Sequence, residues 1–177
     1  MAKKKPTIET TSLLFSSFGE ALPAYLFNTP NFVAADLLSG LREYEVCRRI
    51  NHDGEIRGYF FVDGNYPRIE GYVTCAQPEE RPVDEILSVF PLQRESIQRF
   101  LVGAKSAYVM QTRDPQTFDR SVSLDEVLTA CPSFCSPVAY EYVSLDHPTY
   151  VRLSALLRDR PTRSNRQLLK GSPGCQA

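Results

Sequence analysis

The stretch "RIEGYVTC", Arg68 to Cys75, decides the fold class. Ile69, Gly71, Val73 and Cys75 alternate with Arg68, Glu70, Tyr72 and Thr74, the period of two that marks a half-buried strand. Gly71 in its middle is the feature that calls for a reason, and an edge strand following a turn supplies one. Upstream, Asp63-Gly64-Asn65 has turn chemistry, and Ile56 to Val62 is a second strand. Asn51-His52-Asp53-Gly54 is another turn, preceded by a third strand from Tyr44 to Ile50. Strands joined by short turns make an antiparallel meander.

Helical spacing brackets the meander. Thr29 is placed to cap a helix whose first residue is Pro30, with Val33, Leu37, Leu41 and Tyr44 on one face and Gly40 near its end. Val83, Ile86, Leu87 and Phe90 form a short amphipathic face, and Ile97, Phe100 and Leu101 another. Ser106 to Gln111 fits a strand or a helix, and Thr112-Arg113-Asp114-Pro115 reads as a break. Ser123 and Glu126 fit a capping box. Val138 to Val143 alternates as a strand, and Asp146-His147-Pro148 opens a last helix that Pro161 stops. The expectation is an α+β fold: a central, mostly antiparallel sheet of roughly four or five strands, with helices packed on one face. It forms a single domain over residues 12–158, between a flexible basic arm (1–11) and a basic, disordered tail (159–177).

The chain has 177 residues and a net charge of −1. No apolar run spans a bilayer or resembles a signal peptide, so an intracellular protein is expected, in the cytoplasm or a eukaryotic nucleus, with no membrane partner. The five cysteines are irregularly spaced, which favours free thiols. Cys131 and Cys135 lack the second ligand pair that a structural zinc site needs. Charge is segregated: residues 1–5 hold three lysines, and residues 151–177 hold six basic side chains against Asp159. Residues 6–150 therefore carry −9. Contacts to nucleic acid are expected in the tail, at Arg158, Arg160, Arg163, Arg166 and Lys170. Arg48 and Arg49, placed on a strand, point to opposite faces and make no single patch.

Tyr25-Leu26-Phe27-Asn28-Thr29-Pro30 before a helix, Pro67-Arg68-Ile69-Glu70-Gly71-Tyr72-Val73 and Tyr108-Val109-Met110-Gln111 together resemble the motifs of a known family. That family is the HUH endonuclease domain of rolling-circle replication initiators (Rep) from circular single-stranded DNA viruses and plasmids. The resemblance implies a Rep-like domain of a mobile element that binds single-stranded or origin DNA. It makes Tyr108 the candidate nucleophile, puts Gln111 where the motif has lysine, and puts Arg68 where it has a metal-binding histidine. Glu70 and His52 become the candidate ligands for Mg or Mn, and Arg68 and Arg113 become phosphate contacts. Arginine has no lone pair to give a metal, so the resemblance implies DNA binding with a nicking site that is degraded or rebuilt, a metal-dependent single-stranded DNA nickase if active. The alternative is a non-enzymatic accessory or inhibitory factor of a virus, phage or plasmid, facing a protein partner.

Overall fold

The computed structural model describes residues 22–90, 94–137 and 142–164, and "RIEGYVTC" is one of its strands. In chain order the elements are β1 (Ala24–Asn28), α1 (Asn31–Ser39), β2 (Tyr44–Cys47), β3 (Ile56–Val62), β4 (Arg68–Cys75), β5 (Glu79–Pro82) and α2 (Val83–Val89). There follow α3 (Arg94–Phe100), β6 (Ser106–Ser123), α4 (Leu124–Ala130), β7 (Tyr142–Ser144), a 3₁₀ turn (Pro148–Tyr150), α5 (Val151–Arg158) and β8 (Thr162–Ser164). The sheet runs β2-β6-β4-β3-β1-β7, with β5 and β8 also paired to β6. Only the β1–β3 pair is parallel among the described strands. The α+β class and the mostly antiparallel sheet stand as read. The sheet is larger than expected, with eight strands among the described residues.

β4 is an inner strand between β3 and β6, so the edge-strand explanation of Gly71 fails. Its register shows the real cause. Gly71 faces Thr117 beside a β-bulge. A Cβ there would lie 2.1 Å from the Gln116 carbonyl oxygen and 3.0 Å from the Thr117 Cα. The residue is glycine because two backbones approach too closely for any side chain.

β6 is the spine of the molecule. Its first half pairs with β2 and β5, and its second half with β4 and β8. The expected break at 112–115 does not end it. Asp114 instead takes φ +52° within the strand, close to where β6 changes partner from β2 to β4. A local irregularity bends the strand and leaves the ladder intact on both sides.

Helices cover both faces of the sheet rather than one. Phe60 of β3 packs with Val33, Ala34, Leu37 and Leu38 of α1. Its neighbours Tyr59 and Phe61 point the other way, into a core with Val127 of α4 and Leu153 and Leu157 of α5. β3 is thus buried on both sides, which explains its run of Tyr59, Phe60, Phe61 and Val62 without polar alternation. A third core joins α2 and α3 to Val46, Ala107 and Val109. α1 starts at Asn31, with Pro30 as its cap residue; Thr29 makes no side-chain cap, and its amide donates to Phe61 O at 3.0 Å.

The capping box is present. Ser123 Oγ accepts from the Glu126 amide, and the Glu126 carboxylate accepts from the Ser123 amide at 3.0 Å. That amide, and then Arg160 and Arg120, hold the Glu126 carboxyl below the ordinary carboxylate range. Replacing Glu126 by alanine is expected to cost about 2 kcal/mol, because the cap and a partner of Arg160 are lost together. Urea unfolding measures this, and an unchanged midpoint would count against it.

The segment expected to be disordered from 159 onward stays with the body through Ser164. β8 pairs Thr162, Arg163 and Ser164 with β6. Arg160, whose side chain is only 14% exposed, donates to the carbonyls of Arg120 and Ser121. Arg166, Lys170, the arm at 1–11 and residues 138–141 of the last expected strand lie outside the described residues. No helix among the described residues is long and apolar enough to cross a membrane.

Candidate functional site

β2 is short, and that shapes the surface beside it. The strand ends at Cys47, opposite Tyr108. Arg48 and Arg49 therefore fall outside the pleat, and the opposite-face argument does not apply to them. Both line a groove of about 420 Å³ with Lys105, Tyr108, Glu80 and Ser106. The Arg48 guanidinium donates to the Val102 carbonyl at 2.7 Å and lies 5.7 Å from the centre of the Phe100 ring. The turn after α3, with Gly103 at φ +77°, brings Lys105 to the rim. Among the described residues Glu80 is the one acid in the lining, and its carboxylate accepts the Ser106 hydroxyl.

The chain from Arg48 to His52 leads out of this groove into a set of aromatic rings. The Asn51 amide donates to the Tyr142 hydroxyl at 3.0 Å. The Tyr142 ring lies 5.6 Å from Tyr25, and Tyr25 lies 5.7 Å from the His52 ring. Tyr108 and Tyr142 pack against the same core and are half-buried, as is His52. Burial, then the nearby Cys47 and Tyr108, raise the Tyr142 phenol above its ordinary range against the Asn51 hydrogen bond.

The residues singled out in the sequence are dispersed. Arg68 Nε donates to Glu70 Oε1 at 2.7 Å, and the same guanidinium binds Tyr66 O and Asn31 Oδ1. Arg68 pairs in register with Ser123, at the opposite end of β6 from Tyr108, so the two do not meet. Gln111 and Arg113 line a second cleft of about 340 Å³ with Arg42, Glu43 and Asp114. There Arg113 is bound to Glu55 at 2.7 Å. Arg158 is paired with Asp146 at 3.2 Å, and Arg160 with Glu126. Arg163 is exposed on β8. Glu70 and His52 do not come together, and no group of three or more His, Cys, Asp or Glu among the described residues is arranged to hold a metal ion.

Sequence reasoning missed two features. One is the groove, because the expected strand ran to Ile50, three residues past the end of β2. The other is Glu45, on β2 and 5% exposed, with Oε2 lacking a hydrogen-bond partner. It lines a small cavity with Val33, Ser96, Ile97 and Phe100. Burial pushes its carboxyl up to about 7, against the opposing effects of Arg42 and the Val46 amide. Only its position in an otherwise apolar run, Tyr44-Glu45-Val46-Cys47, hinted at this.

No family model matches the chain, and no curated protein does. Among solved structures it is similar to ASCH from Zymomonas mobilis, with a TM-score of 0.64 and 17% identity over 76% of this chain and 95% of that one. A single-substitution variant of that protein gives a TM-score of 0.65 and 19% identity over 76% and 96%. The fold is that of an ASCH domain. It is not that of a replication initiator, and the Rep and HUH endonuclease reading is corrected accordingly. The motifs that suggested it are short strand-and-turn patterns common to antiparallel sheets. The accessory or inhibitory factor reading finds no support either.

Proposed function

We propose that the protein is a nucleic-acid-binding domain whose phosphate contacts lie in the groove of Arg48, Arg49 and Lys105. One observation carries this reading. These three cations have no acid within ion-pair distance among the described residues, whereas Arg68, Arg113, Arg158 and Arg160 are each paired with a carboxylate. A cation already engaged by the protein gains less from a phosphate than one facing water. The likeness to the ASCH structure is one of fold and is compatible with this reading. The acidic balance of residues 6–150 confines attraction to the groove and disfavours spread-out, non-specific contact. Arg163, and Arg166 and Lys170 beyond the described residues, remain further candidates for phosphate contacts.

The test is the salt dependence of oligonucleotide binding. Replacing Arg49 and Lys105 together by glutamine should lower the slope of log K against log salt by about 1.4 for a single strand, since each lost contact removes about 0.7. Arg113→Gln, at a side chain held by Glu55, should leave the slope unchanged. Equal slopes for the parent and the double variant would sink the reading.

A further inference from the structure

We infer that the aromatic rings beyond the groove form a stacking track for unpaired bases, so that the ligand is single-stranded. This rests on the nucleic-acid reading of the groove. Three observations carry it. First, groove and rings are linked: Tyr108 lines the groove and packs against the same core as Tyr142, while Arg48 to His52 runs from the cations to the imidazole. Five extended residues reach at most about 18 Å, which suits a short strand segment. Second, Tyr108, Tyr142 and His52 are half-buried: the core holds the two tyrosines, His52 lies against the Tyr25 ring, and each still presents surface. A held ring loses little freedom when a base stacks on it. Third, the track is anchored by the hydrogen bond from the Asn51 amide to the Tyr142 hydroxyl, which ties the cation-bearing segment to the rings.

The chemistry selects the ligand. Phosphates meet Arg48, Arg49 and Lys105, while ring faces meet base faces. A duplex hides its base faces within the stack and can use only the cations. Base faces are common to RNA and DNA, so the track itself accepts either, and sequence preference is weak.

The experiment measures affinity for four probes of matched length: a single-stranded ribo-oligonucleotide, its deoxy equivalent, an abasic deoxy strand and a duplex. Parent, Tyr108→Leu, His52→Leu and Tyr142→Phe are compared, with thermal melts to confirm folding. The parent should bind both single strands more tightly than the abasic strand and the duplex. Tyr108→Leu and His52→Leu should each weaken single-strand binding by about 5-fold to 100-fold, and His52→Leu, outside the groove lining, should leave abasic and duplex binding unchanged. Tyr142→Phe keeps its ring and should lose less. If Tyr108→Leu fails to fold, His52→Leu decides alone. A parent that binds the abasic strand or the duplex as tightly as the single strands overturns the track but leaves the groove standing. No salt-dependent binding to any probe overturns both.

Discussion

Replacing Gly71 by alanine is expected to destabilise the protein by about 4 kcal/mol or more, the range reserved for backbone conflicts and severe overpacking. The new Cβ would sit 2.1 Å from the Gln116 carbonyl oxygen, a backbone atom that cannot rotate away. β4 and β6 would have to part at the centre of the sheet, breaking ladder hydrogen bonds on both sides of the bulge. For a chain of this length, 1 kcal/mol corresponds to about 2–4 °C in Tm, so a fall of about 8–16 °C is expected. Gly64→Ala is a useful contrast. Gly64 has φ +132° with nothing within 4 Å of the added Cβ, so only conformational strain applies there. A Gly71→Ala protein that melts within about 2 °C of the parent would mean the strands are less closely apposed than described.

The second large effect is electrostatic. Glu45 is buried, and its carboxyl is pushed up from an ordinary 4.5 to about 7. The folded state therefore holds the proton more tightly than the unfolded chain. Stability from this group is complete below pH 4.5 and declines as pH rises to about 7, by about 3 kcal/mol in total. Glu126 has the opposite sign, but its window lies below pH 4.5, so the two effects do not overlap. Glu45→Gln keeps the shape and cannot ionise. It should flatten the decline between pH 5 and 8 and leave the variant the more stable protein at pH 8. Urea unfolding at the two pH values measures this. Parallel pH dependence in parent and variant would show that Glu45 is not the buried acid responsible.

Local pattern was legible wherever one short segment determines its own state. The alternation of "RIEGYVTC" predicted β4 to the residue, and Ser123 with Glu126 predicted the cap of α4. What failed depended on distant partners. The reason for Gly71 lies in Gln116 and Thr117, which no reading of residues 68–75 can supply. Asp114-Pro115 has the composition of a turn, but β6 continues through it because neighbours pair on both sides. The site was obscured by a boundary. Three residues too many in β2 sent Arg48 and Arg49 to opposite faces and dissolved the patch they form with Lys105. The arginines that stood out in the tail include Arg158 and Arg160, which are engaged with acids that only the fold brings near.

β1 also sets a timetable. It lies between β3 and β7, and its hydrogen-bonded partner on the outer side is Tyr142–Ser144, more than a hundred residues downstream. On a ribosome adding about 5–20 residues per second, the strand is made roughly 6–24 s before its last neighbour exists. Through that interval the nascent chain carries Tyr25, Leu26 and Phe27 with one backbone edge open, the condition in which strands add to strands of other molecules. Yield during synthesis is therefore most exposed to changes in this N-terminal strand, and slowing translation lengthens the exposure.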